Sequence, residues 1–234
     1  VTAKRKLIVS VLGAAIVGAV ALALAASYFF GNDAPARASI EDAVNSSPSD
    51  GQLPADLTGE WTLAEDANSF AGFRINQQVA GIGSETVVGR TSDVEASLTF
   101  DGAAITDANV TVDMTTLKSG ESLRDSALRS EGLESSRFRD ATFALTAPVP
   151  MEQVPATGAP VAKTVSGDLT LHGVTRPIEL QMQAAIDGSQ LVVVGSHDIE
   201  LGDFGITPPR GPASVLSVDD NGTLEMQLIF EKAA

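Results

Sequence analysis

No cysteine occurs in the 234 residues, which removes disulfides, thiol catalysis, thiolate metal sites and a lipid-modified cysteine anchor together. Histidine is nearly as scarce. His172 and His197 are the only two, short of the three or four ligands that a zinc site uses. Basic residues number 15 against 30 acidic ones, a net charge of −15. A surface of that sign gains nothing from counterion release and argues against a nucleic-acid partner. No G-x-S-x-G elbow, phosphate-binding glycine loop or H-E-x-x-H pattern is present, so hydrolase, nucleotide and metalloprotease chemistries lack their usual residues. The Asp219-Asp220-Asn221-Gly222 cluster has Leu228 where a calcium loop would need its closing Glu, and reads as a hairpin turn. The expectation is a protein that is not an enzyme and uses no metal or cofactor.

Charge is also missing from one long run. Leu7–Phe30 carries no charged residue, and at ~1.5 Å per helical residue it is long enough to cross a ~30 Å hydrocarbon core. Lys4, Arg5 and Lys6 precede it. By the positive-inside rule, residues 1–6 are then cytoplasmic and everything after Gly31 lies outside the cell membrane, on a single-pass signal anchor. Ala23-Leu24-Ala25 has the form of a cleavage site, but the run exceeds the ~7–15 residues of a signal-peptide core. Residues 31–57 then turn to Ala, Ser, Asp and Asn with Pro35, Pro48 and Pro54, the composition of a flexible linker. A helix over Ala38–Val44 would be too short to persist alone.

From residue 58 to 234 the pattern is that of strands in one domain. Val165, Gly167, Leu169 and Leu171 alternate with Ser166, Asp168, Thr170 and His172, the period-two signature of a half-buried strand. Ile178, Leu180 and Met182 repeat it, with Gly173 offering the positive φ of a turn and Pro177 expected at the strand's start. Similar runs cover 61–63, 69–77, 86–90, 94–100, 110–114, 141–147, 190–199 and 223–231. Glu121–Ser136 breaks the alternation. Leu123, Ala127 and Leu128 there share one helical face, which predicts a short helical insert ending near Gly132.

About eight antiparallel strands with so little helix must cover their own apolar face. A sandwich and a closed barrel both do so, but a barrel also abolishes exposed edges. Alternation puts Phe73, Val112, Phe143, Leu169, Leu171 and Met226 on one face of successive strands, and closing the sheet collects them around one lumen.

The run Val165–Leu180 (VSGDLTLHGVTRPIEL), the DFGI at Asp203–Ile206, the SLRDSAL segment with Arg124-Asp125 and the strand entry at Asn68-Ser69 resemble the YceI-like family over roughly residues 57–234. Within the run, Gly167, Leu169, Thr170, His172, Gly173, Val174, Thr175 and Pro177 match a G-x-L-T-x-H-G-V-T-x-P core. The resemblance implies an all-β, closed, lipocalin-like antiparallel barrel that holds a polyisoprenoid or quinone-like amphiphile in its lumen, without catalysis. On that basis the ligand-binding wall is expected to include Phe73, Ile75, Val110, Val112, Met114, Phe143, Leu145, Leu169, Leu171, Phe204 and Met226. Arg90 and Arg124 are the candidates for a polar head group, since a guanidinium grips a phosphate or carboxylate bidentately. A second reading stands beside this one: an envelope module whose filled barrel displays loops to a protein or cation partner.

Overall fold

The structure, a computed structural model, describes residues 34–46, 51–65, 67–151 and 159–233. The span expected over Leu7–Phe30 lies outside them. The strands are β1 (Gly59–Leu63), β2 (Phe70–Val79), β3 (Gly83–Thr91), β4 (Val94–Phe100), β5 (Ala104–Asp113), β6 (Asp140–Leu145), β7 (Val149–Pro150), β8 (Val161–Leu171), β9 (Val174–Asp187), β10 (Gln190–Glu200) and β11 (Val215–Lys232). All pair antiparallel. The order β1-β4-β5-β6-β8-β9-β10-β11 returns to β1 through Trp61↔Lys232, Thr62↔Glu231 and Leu63↔Phe230, which closes an eight-stranded barrel. The β2–β3 hairpin continues along β11 from Gln227↔Phe70 to Val215↔Val79, so β1 and β2 occupy successive stretches of one edge. The barrel read from the sequence is therefore present, and closure through β1 and β11 removes the edges that an open sheet of these eight strands would have had at its two ends.

The β8–β9 hairpin is the most regular part, paired without a slip from Leu171↔Val174 to Val161↔Ala184. Its two-residue turn puts both His172 (φ 52°) and Gly173 (φ 74°) in the left-handed region, the geometry whose twist matches the flanking strands. Pro177 is not at the strand's start. It lies inside β9 opposite Asp168, in a stretch that the β9–β10 ladder does not reach, since that ladder ends at Gln181↔Ser196. One edge there needs no N–H, which is where a sheet tolerates proline. The Asn221-Gly222 pair is likewise not a turn. β11 starts at Val215 and runs straight through it, with the register against β2 slipping between Val218 and Gly222. The acidic cluster at 219–221 thus sits in a bulge within a strand, and the sequence alone could not separate a bulge from a hairpin because both use the same residues.

The segment expected to be a linker contributes a helix. α1 (Ile40–Ser46) begins after Ser39, whose hydroxyl accepts from the Asp42 N–H at 3.1 Å and donates to the Asp42 carboxylate at 2.9 Å, an N-terminal cap. Seven residues do not hold a helix by propensity. Tertiary burial does. Ile40 and Ala43 pack against Ala64, Ala185, Val192, Val194 and Ile229 on the outside of the barrel. That contact explains the continuous apolar stretches at 191–194 and 228–230: one parity faces the interior, the other faces α1, and a strand covered on both sides loses its polar alternation.

Inside, two clusters share the barrel. One half is packed by the cluster Met114, Leu117, Leu169, Leu171, Ile199, Phe204 and Ile206, with Leu128 and Leu133 of the insert against it. The insert is α2 (Ser122–Ala127) followed by a wider turn over Leu128–Gly132. The other half is built on Trp61, Leu98, Val193, Leu228 and Phe230.

Candidate functional site

This second half of the barrel is not filled. A cavity of about 110 Å³ lies among residues of β4, β5 and β6 and of β8 through β11, at the end where the β4–β5 and β9–β10 hairpins turn. Its wall is apolar: Leu98, Val110, Phe143, Leu145, Leu180, Met182, Val193, Met226 and Phe230 contribute, and Ala108 and Ala184 leave the space that larger side chains would close. Gly167 has a role in shaping it, since the Phe143 ring lies directly over that Cα, where a Cβ would stand. Gly195 does the same beneath Met182 and Met226. Two flexible thioethers therefore form part of the floor, and methionine repacks around different shapes more readily than branched residues do.

Of the residues expected to line the lumen, Val110, Phe143, Leu145 and Met226 do so. Met114, Leu169, Leu171 and Phe204, with Phe73 and Val112 against them, point inward as alternation requires but belong to the packed half. Period two fixes which face a side chain is on; it carries no information about which end of a barrel is plugged. Ile75 borders a separate polar recess with Arg37, Arg74, Asp198 and Thr223.

Neither expected head-group arginine reaches the cavity. Arg90 is on the outer wall, where its Nε donates to Glu225 Oε1 at 2.8 Å, Nη2 donates to the Ala36 carbonyl at 2.6 Å and the guanidinium stacks on Phe70 at 4.2 Å. Arg74 Nη1 meets the other Glu225 oxygen at 3.4 Å and the same carbonyl at 3.3 Å. These groups fasten residue 36, and so α1, to the barrel. Arg124 is half-buried on α2, over the packed half. Its neighbour Asp125 is buried, accepting from the Ser119 N–H at 2.8 Å and from the Ser119 hydroxyl at 2.6 Å, which pins the insert in place.

The histidines are structural in their contacts. His172 contacts the Phe204 carbonyl through Nδ1 at 3.2 Å and Glu134 Oε2 through Nε2 at 2.9 Å, with Phe138 against its ring. It ties the β8–β9 turn to the DFGI segment and to Glu134 and Phe138, so two of the resembling motifs meet at one point. His197 Nδ1 lies 2.9 Å from the Glu179 carbonyl.

The side chain that the sequence reading missed is Lys163. It lies among the cavity residues between Val161 and Val165, opposite Met182 on β9. The alternation of β8 would have found it, had the strand been started at Val161 instead of Val165. The β6–β8 ladder stops at Leu145↔Gly167, and beyond that point β7 pairs with β5 instead. Among the described residues no strand pairs with that edge of residues 161–165.

A small, closed antiparallel barrel with an apolar space in one half belongs to the class whose interior is just wide enough to be filled by side chains or to hold one small ligand. The comparisons with known proteins name the family: the YceI-like domain matches residues 61–230, and the chain belongs to it. A UPF0312 protein of Shewanella baltica is 32% identical over 181 residues, covering 70% of this chain and 91% of that protein. One from Vibrio parahaemolyticus is 33% identical over 154 residues, covering 62% and 77%. Among solved structures, a polyisoprenoid binding domain from Saccharophagus degradans, implicated in plant cell wall breakdown, superposes with a TM-score of 0.59 at 20% identity, covering 74% of this chain and 98% of that one. BcnA of Burkholderia cenocepacia gives 0.54 at 18%, covering 69% and 94%.

Proposed function

We propose that the barrel holds the apolar tail of an isoprenoid-type amphiphile in its half-open lumen, as a binding protein without catalysis, attached to the membrane by the Leu7–Phe30 span on the extracytoplasmic side. The observation that carries the reading is the apolar cavity at one end of the barrel. An unfilled space of this kind forgoes packing energy that larger residues at Ala108 and Ala184 could supply. The polyisoprenoid-binding neighbour of the same fold supports the ligand class. At about 110 Å³ the space is near that of an engineered cavity that takes up benzene, ~150 Å³, so the tail enters by displacing Met182 and Met226 and the lumen widens around it. The uncharged span and the Lys4-Arg5-Lys6 flank support the attachment and its orientation.

Native mass spectrometry of the detergent-extracted full chain tests the reading. An adduct that releases an apolar amphiphile on solvent extraction is expected; a bare protein after purification with lipid throughout would count against it. Protease added to spheroplasts should release a soluble barrel, and a protected domain would show the orientation to be wrong.

A further inference from the structure

Lys163 is the one ionisable side chain among the cavity-lining residues. It is half-buried. The cavity surface is nonetheless almost wholly apolar, so the lysine contributes its methylene stem to the wall while its ammonium reaches out of the lumen, as amphipathic side chains do at an apolar boundary. Four other basic side chains among the described residues have carboxylate partners: Arg74 and Arg90 share Glu225, Arg139 meets Asp113 at 2.6 Å, and Lys232 lies 4.0 Å from Asp56. Lys163 makes no ion pair or side-chain hydrogen bond with any described residue. It also stands on the stretch of β8 beyond the end of β6, where the wall has no paired strand among the described residues. A half-buried lysine on the wall of an apolar cavity, without a carboxylate partner among the described residues, is placed to meet the head of a molecule whose tail is inside.

We propose that Lys163 is the head-group contact of the lumen, and therefore that the bound amphiphile is anionic, carrying a carboxylate or a phosphate on its apolar tail. This rests on the lumen reading above and goes beyond it, because a tail alone would be served by a neutral mouth. It also reassigns the polar role from Arg90 and Arg124. A lysine acts here as a point charge, which recognises charge more than planar geometry.

Three probes with one tail separate the possibilities: farnesyl phosphate, farnesoic acid and farnesol, titrated into the full chain in detergent and followed by displacement of a fluorescent apolar dye. A charge-assisted contact should make the acids bind roughly ten- to hundredfold more tightly than the alcohol. In Lys163→Met the acids should fall to the level of farnesol while farnesol itself changes by less than about twofold, because the stem's apolar contact is kept. Lys163→Arg should retain the preference. The acid that shows the larger gain identifies the head group. Equal affinities for all three in the wild type, or a preference that survives in Lys163→Met, would overturn the assignment while leaving the lumen intact. Failure of the wild type to bind any of the three would overturn it together with the lumen reading.

Discussion

Filling the cavity should separate stability from binding. Ala184 lies on the lumen wall opposite Val193, and Ala184→Phe would project a ring into the space of about 110 Å³. At ~24 cal/mol per Å³ of cavity, complete filling is worth about 2.6 kcal/mol, and a misfit ring takes back ~1–3 kcal/mol. The variant should therefore lie between about 0.4 kcal/mol less and about 2.6 kcal/mol more stable than the wild type, a rise of at most ~5–10 °C in Tm for a domain of this size. Ligand response should move the other way. At a hundredfold excess over Kd a ligand adds about 2.7 kcal/mol to the wild type, again ~5–10 °C in a thermal melt, and this increment should vanish in Ala184→Phe. Ala108→Phe, on the facing wall, makes the same test if β9 does not accommodate the ring. A folded variant that keeps the full ligand-induced shift would refute the reasoning, because the amphiphile would then be bound elsewhere.

Three further outcomes follow from the contacts described. Leu169→Glu should prevent folding instead of abolishing binding selectively, since Leu169 is 7% exposed in the plugged half and the change forfeits ~1.5–3 kcal/mol of burial besides stranding a carboxylate; circular dichroism of the purified variant decides. Glu225→Gln should lower stability by about 3–5 kcal/mol in denaturant unfolding, because Arg74 and Arg90 would face each other without their shared carboxylate, while dye binding in the lumen is unchanged. The pH dependence of stability should have an acid limb. The hydroxyl and N–H of Thr115, with Arg139, hold the Asp113 carboxyl below its ordinary value of 3.8, and the N–H groups of Ala103 and Ala104 do the same for Asp101. Groups depressed in the native state stabilise it fully above their unfolded value and lose that contribution as pH falls through the native one. Denaturation midpoints should thus decline below about pH 4, and Asp113→Asn should flatten the decline.

What could be read from the sequence was what short-range pattern controls. Alternation located the strands and gave the inward parity of β8 and β9, and the strand count together with the edge problem gave a closed barrel. Readings failed where a distant partner decides. α1 looked like linker because Ile40 and Ala43 owe their burial to Val192, Val194 and Ile229, some 150 or more residues away. Arg90 looked free for a head group because nothing local announces its pairing with Glu225 across the sheet. Leu169 and Val110 have the same parity and chemistry, yet one is in the plug and the other on the cavity, a difference set by where the insert and the DFGI segment fold over the barrel end.

The central claim is that an apolar chain occupies the lumen. A farnesol analogue with a diazirine on its terminal isoprene unit, photolysed on the full chain and mapped by peptide mass spectrometry, tests it most directly. The account predicts insertion at Val110, Met182, Met226 and their cavity neighbours, lost in Ala184→Phe. Insertion confined to the outer face near α1, or a pattern unchanged by filling the cavity, would contradict it.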